Sequence, residues 1–301
     1  MTTIRPLPLD CAIVGGGAGG LTAAIYLARF RRNVLLIDSG HSRLSLVPTS
    51  HNYPGFPAGI SGRELLSRLN LQARKFGASV KSGIVNEIAK DNNELFRVRF
   101  GNSVVFARSV ILATGASDVA PPMEGYERAL RRGILRYCPI CDGFEAIGKK
   151  VAVLGKGTHG AKEAAFIHHY AEDLTLINLS ENPYQDAQAD ILRVSGISLF
   201  DGDVKTLTFA NDAVSAVGGN GASIVYDILY SALGLHTNNK LAHQLGLGTD
   251  SDGQVEVDEH MQTSLKAVFA VGDIASGLNQ ISVATGQAAI AATAIHNLLR
   301  Q

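Results

Sequence analysis

The chain has no surplus of charge of either sign. Its 27 Lys and Arg residues are matched by 27 Asp and Glu residues, so the formal net charge of the 301 residues is zero. Such a molecule has no global field to draw in nucleic acid or an anionic membrane, and neither is expected as a partner. Cysteine is scarce: Cys11, Cys138 and Cys141 are the whole complement. That is not the disulfide framework of a small secreted domain, and a chain of this length can bury a core without staples. No run approaches the roughly 20 apolar residues that span a bilayer. The first apolar run, Cys11 to Val14, breaks into glycines, so no signal peptide is read and a cytoplasmic protein is expected. The four ligands of a zinc site are missing too, since no second CxxC or paired histidine accompanies the cysteines; no metal is expected.

What is abundant is glycine, 32 residues, against an average usage near 7%. There is no collagen period and no Gly/Ser linker, so the excess belongs in turns or where backbone approaches a ligand. Apolar residues at 46% and charged residues at 18% are an ordinary globular balance. The length suits two domains.

An internal repeat organises the chain. Residues 12–38 read AIVGGGAGGLTAAIYLARFRRNVLLID, and residues 152–178 read AVLGKGTHGAKEAAFIHHYAEDLTLIN, aligned without a gap at an offset of 140. Gly15, Gly17 and Gly20 fall on Gly155, Gly157 and Gly160. Each copy reads as strand, GxGxxG turn, helix and second strand, the order of a dinucleotide-binding βαβ unit. The first glycine permits a tight turn, the second lets backbone approach a pyrophosphate, and the third lets helix pack on strand. The helix N-terminus offers N–H groups and a partial positive charge to phosphates. The copies differ at one place: the first ends in Asp38, a carboxylate suited to ribose hydroxyls, and the second in Asn178.

Between and after the repeats, Ser61 to Phe76 reads as a helix, with Ser61 and Glu64 as a capping box and Leu66, Leu69, Ala73 and Phe76 at helical spacing. Val80–Lys90, Leu95–Phe100 and Ser103–Thr114 are β-rich, with a turn at Gly101-Asn102. A long Ala-rich helix is expected from about Gln280 to Leu299. The predicted fold is α/β: two Rossmann-like dinucleotide-binding domains and a small antiparallel β layer. The first domain is discontinuous, comprising residues 1–117 and 246–301, and the second is 118–245.

These pieces together resemble the low-molecular-weight thioredoxin reductase family of flavoproteins along nearly the whole chain. The resemblance is carried by GGGAGG with Asp38, Asn52-Tyr53-Pro54-Gly55-Phe56-Pro57, Ala113-Thr114-Gly115, the CxxC-Asp-Gly of residues 138–143, and Val271-Gly272-Asp273. It implies FAD in the first domain, redox cysteines in the second, and a homodimer. Carried over, Gly15, Gly17, Ala18 and Gly20 would cradle the FAD pyrophosphate and Asp38 would hold the ribose. Asn52 would lie by the flavin ring, and Thr114 and Gly115 would line the cofactor. Gly272 and Asp273 would meet the ribitol. Gln280 and Ile281 would face the pyrimidine edge, where the positive end of a helix stabilises an anionic reduced flavin.

Cys138-Pro139-Ile140-Cys141 is the chemical centre. A CxxC that starts a helix can close a disulfide, Pro139 is acceptable in a first turn, and the helix start lowers a thiolate pKa. Two inert core thiols are the competing reading. By resemblance, Cys141 would face the flavin and Cys138 would attack a substrate disulfide. Asp142 would protonate the leaving thiolate, a task for a carboxyl with a raised pKa; it also reads as a plain turn residue before Gly143. Cys11, on the first core strand, reads as a small buried hydrophobe. The partner implied is a thioredoxin-like protein or a small-molecule disulfide.

The resemblance breaks at the second nucleotide site, formed by Gly155, Gly157, Gly160 and Asn178. Members that use NADPH carry a basic cluster after this second strand. Here residues 178–184 read NLSENPY, with Leu179, Ser180 and Tyr184 where the arginines would stand and Glu181 adding repulsion. NADH is not rescued, because Asn178 lacks a carboxylate. His159, Lys156 and Lys162 lie near the glycine turn and can meet a ligand phosphate. The expectation is a flavin disulfide oxidoreductase not served by NADPH. Ferredoxin or another donor would supply electrons, or a second dinucleotide such as FAD would fill the degenerate site. The alternatives are an NAD(P)H-dependent reductase with atypical contacts and a dithiol oxidase that uses oxygen.

Overall fold

The structure is a computed structural model that describes residues 7–179, 192–193, 195–200, 206–217 and 223–300. Two compact units divide the chain. Unit 1 holds the residues up to Ser45, Gly62–Ser117, and the chain from His236 onward; unit 2 holds Leu46–Ser61 and Asp118–Leu235.

The first stretch runs β1 (Leu9–Val14), α1 (Ala18–Arg29), β2 (Val34–Asp38), α2 (Gly62–Lys75), β3 (Ser79–Ser82), β4 (Val85–Lys90), β5 (Phe96–Phe100), β6 (Ser103–Leu112) and β7 (Ala116–Asp118). The middle stretch runs α3 (Tyr126–Arg131), β8 (Leu135–Arg136), α4 (Pro139–Asp142), β9 (Val151–Gly155), α5 (Gly157–His168), β10 (Leu174–Asn178), β11 (Ser198–Phe200), β12 (Thr208–Ala210), β13 (Ala213–Val217), β14 (Ser223–Tyr226) and β15 (Ile228–Ala232). The last stretch carries β16 (Leu235–Thr237), α6 (Lys240–Gln244), β17 (Val268–Ala270) and α7 (Ile281–Leu298).

Unit 1 is built on a sheet in the order β3-β2-β1-β6-β5-β4, with β17 also pairing β6. The pairs among β3, β2, β1, β6 and β17 are parallel; β6-β5-β4 are antiparallel. Parallel strands covered on both faces should be apolar on both, and β1 shows it. Cys11 and Ile13 pack with the helix residues Leu21, Ala24 and Ala288, while Ala12 and Val14 pack with Val98, Val110 and Leu112 on the opposite side. α2 buries Leu65 and Ala73, has Glu64 in its first turn and Arg74 and Lys75 in its last, and is followed by left-handed Gly77 (φ +94°). That charge placement suits the helix dipole.

The β-rich run expected over Val80–Lys90 is two strands that split at Gly83. Ser79–Ser82 joins the parallel side and Val85–Lys90 the antiparallel side. The antiparallel strands accordingly extend the main sheet. The return to unit 1 comes at His236, ahead of residue 246, because Leu241, Ala242 and Leu247 bury into its core. Residues 46–61, expected with the first domain, group with unit 2.

Unit 2 has a parallel sheet, β11-β10-β9-β15-β8, and an antiparallel ladder, β12-β13-β14. Val151 and Val153 face α5 residues Ala161, Ala164 and Ile167, while Ala152 and Leu154 face Leu229 and Phe209. The two βαβ units of the sequence repeat are therefore both present, one in each unit.

Candidate redox and dinucleotide sites

In unit 1 the expected cofactor residues emerge at one edge of the sheet. Val14 is in register with Ile37 and Leu112, and Leu112 with Ala270. The chain just beyond these strand ends supplies Gly15, Asp38, Thr114, Gly115, Gly272 and Asp273. Such a carboxyl edge is where ligands bind in open α/β sheets. Gly15 is left-handed (φ +109°), and a Cβ there would stand 2.2 Å from the Ala113 carbonyl oxygen. A Cβ on Gly20 would stand 2.0 Å from the Gly15 oxygen. Only glycine fits either place.

α1 starts at Ala18 with Gly17 as its N-cap and no side-chain cap. Asp38 Oδ1 accepts from the backbone N–H groups of Gly16 and Gly40, both at 3.1 Å. An open first helical turn beside a carboxylate anchored on its turn fits the pyrophosphate and ribose of a dinucleotide. Two contributors were not evident from the sequence. Asn238 grips the Thr114-Gly115 turn: its Nδ2 donates to Thr114 O at 2.9 Å, its N–H donates to Gly115 O at 2.9 Å, and its carbonyl accepts from Thr114 Oγ1 at 2.8 Å. Arg43 pairs with Asp273 at 3.1 Å. Gly272 is left-handed (φ +76°), and its N–H donates to Gln287 Oε1 at 2.8 Å. Gln280 is the N-cap of α7, and Ile281 is the first helical residue.

In unit 2, Cys138 and Cys141 are joined in a disulfide, with sulfurs 2.03 Å apart. Cys138 is the N-cap of α4 and Pro139 opens its single turn. The Cys141 N–H donates to Cys138 O at 3.0 Å, closing the turn. Gly143 follows because a Cβ there would stand 2.6 Å from the Pro139 carbonyl oxygen and 2.9 Å from the Tyr170 ring. Asn52 Nδ2 donates to the Ile140 carbonyl at 3.4 Å, within the same unit. Ile140, between the two cysteines, and Phe144, three residues after them, are exposed, Phe144 at 72%.

Asp142 ends α4. Tyr230 Oη lies 2.8 Å from its Oδ1 and 2.9 Å from its backbone carbonyl oxygen, two acceptors for one phenol proton, and the carbonyl accepts from Arg136 Nη1 at 2.7 Å. Burial pushes the Asp142 carboxyl up to about 6, against the opposing pull of Arg136 and of the Tyr230 hydrogen bond. Cys11 is fully buried and its thiol is pushed up to about 12, mainly by that burial. It is an inert core residue.

The second glycine turn is built differently from the first. Gly155 closes β9, the left-handed residue is Gly157 (φ +50°), and the helix starts at Gly157 with Lys156 as its N-cap. Gly160 is buried against Gly155, where a Cβ would stand 2.6 Å from its Cα. Asn178 ends β10 opposite Gly155 and is buried. Lys156, His159 and Lys162 are exposed. Leu179 is half-buried; Ser180, Glu181 and Tyr184 lie outside the described residues. Among the described residues no cluster of His, Cys, Asp and Glu could hold a metal ion, and no helix is long and apolar enough to cross a membrane.

Two dinucleotide-type sheets and one CxxC disulfide beside a carboxyl of raised pKa define the class as flavin-dependent disulfide oxidoreductase. The family model described as pyridine nucleotide-disulphide oxidoreductase matches residues 9–288. The chain is 32% identical to a thioredoxin reductase of Listeria monocytogenes, covering 94% of this chain and 91% of the relative. It is 30% identical to that of Bacillus subtilis, covering 97% and 95%. Among solved structures, a thioredoxin reductase from Streptococcus pyogenes superposes with a TM-score of 0.88 at 27% identity, covering 97% of this chain and 98% of that one. The chain belongs to the pyridine nucleotide-disulphide oxidoreductase family, among its thioredoxin reductase-like members.

Proposed function

We propose that the protein moves electrons between FAD, the Cys138–Cys141 pair and a disulfide substrate, and that its electrons come from a donor other than NADPH. In this reading Gly15, Gly17, Ala18 and Gly20 hold the FAD pyrophosphate and Asp38 the ribose. Thr114, Gly115, Gly272, Asp273, Gln280 and Ile281 line the remainder, with Asn52 beside the flavin ring. Bound FAD supplies a two-electron carrier between donor and disulfide. Cys141 would be the sulfur that faces this carrier, Cys138 the one that attacks the substrate, and Asp142 the acid that protonates the leaving thiolate. The substrate is a thioredoxin-like protein or a small disulfide, and the working form is a cytoplasmic homodimer, which light scattering tests. Residues 1–117 with 246–301 and residues 118–245 serve as the FAD and redox domains, with His236–Leu245 packing on the first.

The observation that carries the donor assignment is the second βαβ unit. Its strand ends in buried Asn178 where the first copy ends in Asp38, and its helix opens at a different place in the glycine turn. The stretch 178–184 has no cation. Arginine is the side chain suited to bidentate phosphate binding. Hydrogen bonds to charged groups contribute about 1.5–3 kcal/mol each, so the loss of two or three weakens NADPH by several orders of magnitude. Ferredoxin is the donor class we favour, with the second site open to another ADP-containing ligand such as a second FAD.

The test is an anaerobic stopped-flow titration of the purified flavoprotein. Bleaching of the flavin by ferredoxin or dithionite but not by NADPH is the expected result. Bleaching by stoichiometric NADPH within seconds overturns the donor assignment. Reduction by dithiols followed by fast peroxide formation in air shows an oxidase instead.

A further inference from the structure

The sequence repeat and the CxxC explain most of unit 2, but not a partly buried polar cluster beside the disulfide. Arg136 on β8 and Tyr230 on β15 are register partners in a parallel pair. Parallel partners project to one face of a sheet, and here both side chains reach the end of α4. Tyr230 is 2% exposed, and the Arg136 and Asp142 side chains are 15% and 27% exposed. Burying a guanidinium and a phenol is costly unless their donors are used. Arg136 Nε donates to Gly133 O at 2.9 Å, and Nη1 donates to Asp142 O at 2.7 Å. Nη1 also approaches Tyr230 Oη at 3.3 Å and Asp142 Oδ1 at 3.8 Å.

The order of donors sets a direction. A phenol has one proton. Arg136 Nη1 already serves the Asp142 carbonyl and points a second contact at the phenol oxygen. The Tyr230 proton is therefore best used on Asp142 Oδ1, at 2.8 Å. Oδ2 has no hydrogen-bond partner among the described residues. The geometry points to Tyr230 and Arg136 as positioning residues that engage Oδ1 of Asp142 and reserve Oδ2 as the oxygen that carries and delivers the catalytic proton. This rests on the oxidoreductase reading above and adds how its acid is aimed. Burial, and then the neighbouring carboxylate, push the Tyr230 phenol up, so it stays a donor through the working pH range. The other groups facing Asp142 are Glu145, which raises its pKa, and His51, which lowers it; the Tyr170 ring packs on the adjacent Gly143.

The Cys138 thiolate attacks a disulfide RSSR, forming a Cys138–SR bond and expelling RS⁻. That thiolate takes the proton from Asp142 Oδ2. Asp142, now a carboxylate, takes the proton of the Cys141 thiol; the Cys141 thiolate then closes the Cys138–Cys141 bond and expels the second RS⁻, which takes that proton back from Oδ2. The two electrons that reform the dithiol come from reduced flavin.

The test uses holoenzyme reduced with a stoichiometric amount of dithionite and reoxidised anaerobically by bis(2-hydroxyethyl) disulfide across pH 5–9. The readout is the return of the flavin band. Wild type should slow as pH rises above about 6, because the acid form is lost. Asp142→Asn should abolish that descending limb. Tyr230→Phe and Arg136→Gln each remove a group that favours the charged carboxylate, so each should move the limb upward, by about one pH unit. Arg136→Lys keeps the charge and should restore most of the shift. Tyr230→Phe is nearly isosteric, and retained flavin confirms its fold. If Asp142→Asn abolishes the limb but neither Tyr230→Phe nor Arg136→Gln moves it, the positioning inference is overturned and the oxidoreductase reading stands. If Asp142→Asn leaves the limb in place, the acid assignment itself fails.

Discussion

Two glycines, both inside helices, should answer the same substitution in opposite directions. In Gly20→Ala the new Cβ would stand 2.0 Å from the Gly15 carbonyl oxygen and 3.2 Å from the Ala113 Cβ. The first obstacle is backbone, so α1 has to move off the β1 turn by about an ångström. Overpacking of this kind costs about 1–3 kcal/mol or more, and alanine returns up to about 1 kcal/mol of helix propensity. The net is a loss of about 2 kcal/mol, which is a fall of about 4–8 °C in thermal midpoint for a domain this large. Bound flavin should fall with it, because the turn that moves is the proposed pyrophosphate cradle. Gly286 in α7 is exposed and has nothing within 4 Å of its missing Cβ. Gly286→Ala should therefore raise the midpoint by about 2–4 °C. Circular dichroism melts and the flavin-to-protein absorbance ratio measure both effects. A Gly20→Ala protein that keeps its flavin and melts with wild type would refute the steric reasoning.

Cys141→Ser should abolish reoxidation of the reduced flavin by disulfides in single-turnover absorbance traces; full activity would remove Cys141 from the pathway. Asn238→Ala removes the Nδ2 bond to the Thr114-Gly115 turn, and should weaken FAD binding about tenfold, one to two kcal/mol, in fluorescence titration of apoprotein. The raised carboxyl of Asp142 makes stability depend on pH. Between the unfolded value of 3.8 and the folded value of about 6 the native state holds the extra proton, so stability falls as pH rises through that window. The full effect is about 3 kcal/mol. Asp142→Asn should gain that much relative to wild type between pH 4 and pH 7 in denaturant titrations of holoprotein, and a difference flat with pH would contradict it.

The parts legible in the sequence are those whose physics is local. A GxGxxG turn needs its glycines close together, so both βαβ units could be read from spacing, and α2 and α7 begin and end within a residue of their expected bounds. The CxxC is likewise local, and its closure as a disulfide follows from one helical turn. Long-range features left no such trace. Arg136 and Tyr230 meet only because β8 and β15 are register partners. Asn238 reaches Thr114 across a whole inserted unit. The break at Gly83 was hidden because Val80–Lys90 is β-rich throughout, and only pairing with β2 or β5 tells its halves apart.

The placement of β17 has a consequence for the order in which the chain is made. Its strand, Val268–Ala270, pairs with β6 at Val110–Leu112. A ribosome therefore delivers β1 to β6 and then all of Asp118–Leu235 before the last strand arrives. Until then the apolar edge at Val110–Leu112 stands open, as a nascent sheet waiting for its final strand. Domains commonly fold as units during synthesis, so the later-made unit 2 can finish first. Unit 1, although begun first, is completed last.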